Sequence, residues 1–453
     1  MASIVFIVDQ IKSDPARFIE RLPIRQVCDE MNLVFRERTL DPATTIGLFI
    51  RQILNDNRSC AGVRHWGKRK FTAQAYCSAR KRLPLEALQR LSRKLCEAAQ
   101  RRVQEVCNLF LLQNVFVVDG SSFSMPDTPE LQAHFGQPGR QARGCGFPIA
   151  HLLALFDLNS GMLMDGILSP MRTHDLRHAW QLHPRMREGD VLLGDTAFGS
   201  YAHFALLYQA KLHGLTPPHQ QRIIDFTPNR PFAIPGSTLP EDAKGLPRSR
   251  WIRSLGKDDQ IVEWFKPVSA PAYMSQEQFA ALPDSLLVRE LRRRVHHPGL
   301  EQWVEIEIVT TLLDETTHPA ETLLALRLRR WQVELNLRHL KTTMGMEQLK
   351  CKSVEGVKKE CAVFMLVYNL LRLLMIEAAI RQKTQPDRIS FKDVLHWTKS
   401  PTPDQPMPLF IINKPRPKRI EPRAIKRRPK KYALMNKPRE RMREDLKKQV
   451  EMA

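Results

Sequence analysis

The sequence predicts an α/β fold: strands and helices in the middle of the chain, helices before them, and a second, later group of strands. Three observations predict it. Val115-Phe116-Val117-Val118 is a continuous apolar run, the pattern of a strand buried on both faces, and it ends at Asp119-Gly120. Residues 151–158 and 162–168 are further apolar stretches joined at Asn159-Ser160-Gly161, a hairpin signal. A helix-patterned stretch over 176–187 then leads into Val191-Leu192-Leu193-Gly194, which runs into Asp195. The order strand, hairpin, helix, strand, helix fits a ribonuclease-H-like sheet.

Taken in order, residues 1–110 read as a helical domain. Apolar positions recur at helical spacing over 44–55, 73–82 and 85–107, with loops at 56–58 and 67–70. The third helix starts behind Pro84 and carries Arg90, Arg93, Lys94, Arg101 and Arg102, which suits a DNA-reading module; a solvated basic face accounts for the same charges. Residues 111–215 hold the first part of the core. Residues 216–311 read as a β-rich insertion: proline is dense at its start, and strands are expected over 260–265, 286–291 and 303–311. In the last of these Val304, Ile306 and Ile308 alternate with Glu305 and Glu307, so one face should be buried and the other wet. Helices resume from Pro319 to about Arg381 within the second part of the core, 312–398. The apolar segment 361–380 is interrupted by Asn369, Arg372 and Glu377, which fits a buried core helix rather than a membrane span. Residues 399–453 form a basic, Pro-rich tail. From Lys414 onward, 16 Lys or Arg stand against 5 Asp or Glu, a net of +11 and half the charge of the chain. Such a segment builds no core of its own; Lys426-Arg427-Arg428-Pro429-Lys430-Lys431 suits phosphate binding in a flexible DNA-tracking arm.

At 453 residues with 43% hydrophobic content the chain can bury substantial cores, and its net charge of +22 points to a polyanionic partner, nucleic acid first. The apolar run at residues 3–8 is too short for a secretory signal and stops at Asp9. The eight cysteines include no Cys-x-x-Cys pair, so they read as reduced packing residues of a cytoplasmic protein. His174 and His178 have zinc-compatible spacing, but no Cys or Glu nearby completes a ligand set.

The chemistry concentrates in residues 326–341. At 100° per residue Arg327, Arg330, Glu334, Arg338 and Lys341 fall within roughly 80° of a helix, one carboxylate in a column of four cations. A carboxylate can hold a divalent metal while neighbouring cations hold phosphates. Two-metal phosphoryl chemistry needs about three converging carboxylates. Asp119 closes the first strand and Asp195 the fourth, and these strands neighbour each other in a ribonuclease-H-like sheet. Asp190 precedes its strand and should lie at the opposite edge; Asp157 and Asp165 belong to the hairpin. Taken singly, Asp119 is equally a turn residue and Asp195 an N-cap.

These residues resemble the DDE transposases of the insertion-sequence-four type. The likeness lies in Val117-Val118-Asp119-Gly120-Ser121-Ser122 with Met125-Pro126-Asp127-Thr128-Pro129-Glu130, in Gly189-Asp190-Val191-Leu192-Leu193-Gly194-Asp195-Thr196-Ala197-Phe198, and in a Tyr, Arg, Glu, Lys signature with gaps of two, three and six residues. That signature lands on Arg327, Arg330, Glu334 and Lys341, with Arg327 where the family has Tyr. Thr310-Thr311-Leu312-Leu313-Asp314, Tyr368-Asn369-Leu370 and the stretch from Glu421-Pro422-Arg423 to Lys430 match as well. The resemblance implies a ribonuclease-H-like catalytic core with a β-strand domain inserted between the second Asp and the Glu. It implies that Asp119, Asp195 and Glu334 bind two Mg²⁺ ions, for which Mn²⁺ can substitute, and that Arg330 and Lys341 hold DNA phosphates. Arg327 and Arg338 share that cationic column; a guanidinium binds phosphate bidentately and stacks on a base. The implied activity is cut-and-paste transposition: strand cleavage at the element's terminal inverted repeats, hairpin formation, and transfer into target DNA by a homodimer in the bacterial cytoplasm, at the nucleoid. Trp264 and Trp303 are candidates for stacking beside an extruded base, or else buried strand residues. The alternatives are a nuclease without strand transfer and a DNA-binding descendant without catalysis.

Overall fold

In the computed structural model, residues 24–33, 35, 39–67, 69–103, 114–234, 236, 245–297, 302–399, 406–414 and 435–451 are described. A nine-stranded sheet with order β3-β2-β1-β4-β5-β9-β8-β7-β6 runs through the molecule. β1 (Val115–Ser124), β2 (Ile149–Asp157) and β3 (Leu163–Pro170) form an antiparallel meander. β4 (Val191–Leu193) and β5 (His213–Thr216) lie parallel to β1, reached through helical crossovers that include α1 (Tyr201–Gln209). The apolar run at 115–118 does produce a buried strand. It does not end at Asp119, as expected, but continues to Ser124, because residues 119–124 all pair with β2.

The later strands are β6 (Ser249–Gly256), β7 (Asp259–Phe265), β8 (Ser285–His297) and β9 (Gln302–Thr310), all antiparallel. They join the core sheet directly: Leu215 pairs with Thr310 and Thr216 with Val309. β6 was not foreseen, because as the sheet's edge it is mostly exposed and carries no clean apolar alternation. In β9, Ile308 is buried and Glu305 exposed, as the alternation predicts, while Val304 and Ile306 are only half-buried. Trp264 is fully buried; its Nε1 donates to Glu290 Oε1 (2.8 Å) and the Arg222 guanidinium lies 3.5 Å from its ring centre. That makes it a core residue, whereas Trp303 is exposed.

The expected helix over 176–187 is α-helical only at Leu176–Ala179 and then tightens to 3₁₀ through Arg185, around Pro184, which has no N–H to donate. The long apolar helix α2 (Val354–Arg381) is buried between the sheet and the N-terminal helices Pro42–Leu54 and Leu85–Val103, and all of these share one core. Residues 104–107 of the third expected helix lie outside the described residues.

The polar residues that interrupt α2 have partners in the sheet. Asn369 Oδ1 accepts from Leu163 N–H and its Nδ2 donates to Leu163 O, both at 2.8 Å, so the side-chain amide pairs with edge strand β3 as another strand would. Tyr368 Oη donates to Gly161 O (2.9 Å), and Arg372 Nε donates to Ser160 O (2.9 Å). Buried polar groups persist when satisfied in this way. On the N-terminal helices, Arg90 and Arg93 each pair with Glu86 (2.8 Å) and Lys94 pairs with Glu30 (2.8 Å), so part of the basic face is compensated. The run 426–431 lies outside the described residues; the described end of the tail is an exposed helix, Arg439–Glu451, with no buried side chain.

Candidate active site

The parallel register of β1 and β4 pairs Val115 with Val191, Phe116 with Leu192 and Val117 with Leu193. Carried two residues further, the same register sets Asp119 beside Asp195. Asp119 is half-buried; Gly120 N–H donates to its Oδ1 (2.8 Å), leaving Oδ2 to face the neighbouring helices. Gly120 is constrained from the sheet's other face, where a Cβ would fall 2.6 Å from His151 Cε1 and 2.9 Å from Asp175 Oδ2. His151 and Asp175 are themselves paired there. Asp195 is exposed and caps the 3₁₀ turn Thr196–Phe198, its Oδ1 accepting from Ala197 N–H (2.9 Å).

The cationic stripe is not one straight helix, as periodicity suggested. It spans α3 (Ala320–Arg329), α4 (Gln332–Arg338) and a π-helical turn, His339–Thr343. The chain tightens between the two helices, where Arg330 N–H bonds to Arg327 O and Val333 N–H to Arg330 O. π-Helical turns of this kind are frequent at functional sites. The side chains nevertheless reach the sheet. Arg330 Nη1 lies 3.5 Å from Asp119 Oδ2, and its Nη2 3.1 Å from Glu334 Oε1, so one guanidinium bridges the carboxylates of strand and helix. Lys341 Nζ stands 6.0 Å from the centre of the Phe123 ring, and Arg338 is exposed.

Electrostatics ties the group together. Burial raises the Asp119 pKa; the Gly120 N–H and Arg330 oppose the rise, and the charges of Asp195 and Glu334 add to it. Arg327 is pushed down to about 10 by burial and by Arg330, with Asp195 opposing. Asp119 thus feels both other carboxylates, and Arg327 feels Asp195. The competing acids are engaged elsewhere: Asp190 accepts from Arg187 N–H (2.7 Å) and Asn114 Nδ2 (3.2 Å) at the start of β4, Asp157 closes the hairpin turn through Ser160, and Asp165 pairs with Arg185. His174 stacks on Tyr273 and His178 bonds Gln181, so neither points to a zinc site.

Three hard carboxylate donors suit Mg²⁺ or Mn²⁺, and their mutual repulsion is what a divalent cation would relieve. By donor chemistry the residues fit such ions. Among the described residues, no three acidic, His or Cys groups already stand close enough to hold one, and Arg330 lies between two of the carboxylates. The sequence marked Arg330 as a phosphate ligand; its i,i+4 spacing to Glu334 was the available sign that it also touches the acid. It gave no sign of the His151–Asp175 pair behind Gly120.

The family model described as "Transposase DDE domain" matches residues 111–370, which contain all three acids and the cationic stripe. Transposase InsG for insertion sequence element IS4 of Escherichia coli (strain K12) is 26% identical over 395 residues, covering 81% of this chain and 79% of that protein. Among solved structures, the cryo-EM structure of piggyBac transposase synaptic complex with hairpin DNA is similar with a TM-score of 0.41 at 10% identity, over 87% of this chain and 79% of that one.

Proposed function

This chain belongs to the family of DDE-domain transposases, and from that premise we propose that it cuts DNA at the ends of a mobile element and joins those ends to target DNA. Asp119, Asp195 and Glu334 are the metal-holding carboxylates in this reading. The observation that carries it is that one guanidinium reaches both Asp119 and Glu334; the β1–β4 register, extended two residues past Leu193, supports Asp195 lying beside Asp119. An antiparallel meander followed by two parallel strands, with acids on β1 and just past β4, supports reading β3-β2-β1-β4-β5 as a ribonuclease-H-like core. In this division residues 111–215 and 312–398 form the core around the 216–311 insertion. Residues 1–110 read the terminal repeats, and 399–453 track DNA.

Two Mg²⁺ ions, when bound, supply charge stabilisation at the attacking and leaving oxygens of an in-line displacement. The chain's own part is positioning. Asp119 is fixed by its strand and by Gly120 N–H, and Asp195 by its turn, so neither must be ordered at the moment of reaction. Arg327, Arg330, Arg338 and Lys341 lie along the DNA path as phosphate ligands. Water cuts one strand and leaves a 3′-hydroxyl; that hydroxyl attacks the opposite strand, giving a hairpin end and freeing the flanking DNA. Opening of the hairpin regenerates the 3′-hydroxyl for strand transfer, with two protomers holding two ends.

The test is incubation of the protein and Mg²⁺ with linear duplex carrying the inverted repeats that flank its own gene, read on denaturing gels. A nick at the repeat boundary followed by a hairpin supports the whole scheme. Nicking without a hairpin keeps the carboxylates and removes the hairpin step. Binding with no cleavage, in Mn²⁺ as well, refutes catalysis.

A further inference from the structure

We propose that Arg330 is a positioning residue for the acidic cluster as well as a DNA ligand: in the DNA-free protein its guanidinium is the counter-ion holding Asp119 and Glu334 together, and it yields those oxygens to divalent ions when a DNA phosphate draws it away. The proposal rests on the reading of the three acids as a metal site. Its basis is where Arg330 stands. The side chain is 13% exposed and touches Asp119 Oδ2 at 3.5 Å and Glu334 Oε1 at 3.1 Å. A Mg²⁺ ion bound by those oxygens must sit at about 2.0–2.1 Å, which sets its charge against a guanidinium 3.1–3.5 Å from the same atoms. Occupation by one disfavours the other.

The cluster is also built to release the arginine. Burial and the nearby Arg330 charge lower the Arg327 pKa, and the charge of Asp195 opposes that. Two cations thus stand among three carboxylates, nearly neutralising them without metal. The Nε atoms of both Arg327 and Arg330 are buried with no hydrogen-bond partner among the described residues. A buried donor without an acceptor is costly, and a phosphate offers several acceptor oxygens at once. Transfer of Arg330 from carboxylate to phosphate would satisfy that donor, remove a charge that disfavours Arg327 and open the acids to cations. Metal loading then follows DNA binding, which keeps a strand-cutting centre poorly charged with metal until DNA is in place.

The experiment measures Mn²⁺ binding to the full chain by calorimetry and by the loss of free Mn²⁺ signal in electron paramagnetic resonance, without cleavage. Arg330→Ala is expected to bind Mn²⁺ at least about tenfold more tightly than the parent in the absence of DNA, since one buried positive charge leaves the cluster. Saturating generic duplex should tighten Mn²⁺ binding to the parent and change Arg330→Ala little. Arg330→Lys, which keeps the charge but lacks the fork that spans two carboxylates, should fall between them and serves if the alanine variant does not fold. Equal or weaker Mn²⁺ binding by both variants without DNA overturns the counter-ion role, provided that Asp119→Asn and Glu334→Gln weaken Mn²⁺ binding. If those acid variants bind Mn²⁺ as the parent does, the metal-site reading itself has failed, and the proposal with it.

Discussion

Replacing Gly161 with alanine should destabilise the protein well beyond an ordinary turn substitution. Gly161 closes the β2–β3 hairpin at φ +67°, where a side chain costs about 1–2 kcal/mol. The larger part is steric: an added Cβ would lie 2.1 Å from Arg372 Nη2 and 2.4 Å from its Cζ. Arg372 is fully buried and cannot swing into solvent, and it donates to Ser160 O (2.9 Å) and Asp387 Oδ1 (2.8 Å). Hydrogen bonds to charged groups contribute about 1.5–3 kcal/mol each, so with the backbone part the total is roughly 2.5–5 kcal/mol if one is lost and roughly 4–8 kcal/mol if both are, a large share of a typical folding free energy. Urea unfolding followed by tryptophan fluorescence should show a lower midpoint for Gly161→Ala with little change in slope. The same change made in an Arg372→Met background should cost only the backbone part, about 1–2 kcal/mol. An equal cost in both backgrounds would refute the clash as its cause.

Three further outcomes follow from the same coordinates. Glu334→Gln should lower strand cleavage by about a hundredfold to a thousandfold or more while leaving duplex binding within a few-fold of the parent, read by gels and anisotropy. Because the Asp119 pKa is raised in the fold, its charge opposes folding above that pKa and not below the ordinary aspartate value; Asp119→Asn should therefore raise Tm at pH 7 without metal and leave it unchanged near pH 3. Burial holds His183 down at about 4 and His203 well below its usual range, so the unfolded chain takes up protons that the fold does not. Stability should fall as pH drops from about 6.5 towards 4, and His203→Phe should shallow that fall in a series of melts.

Sequence patterns alone picked out the acids and cations proposed to carry the chemistry, and what flanks them. A short, valine-containing, charge-free apolar run closed by Asp-Gly or Gly-Asp favours a buried strand, so Val115–Val118 and Val191–Leu193 located Asp119 and Asp195 before any pairing was known. Helical spacing grouped Glu334 with its cations, even though the helix there is broken and ends in a π turn. These signals survive because they depend on neighbours within a turn or a strand. Tertiary structure decided everything that rests on partners far apart in the chain. The continuity of β6–β9 with β1–β5 in one sheet depends on two residue pairs between β5 and β9. Edge strand β6 carries no buried alternation to announce it. Asn369 and Arg372 look in the sequence like interruptions of an apolar helix; only the fold makes them the hydrogen-bonding partners of β3 and the hairpin. Arg330 reads locally as one more cation beside Glu334, and its second carboxylate, Asp119, lies on a strand more than two hundred residues earlier. Periodicity records which face a residue presents, whereas pairing energies between distant segments decide what that face meets.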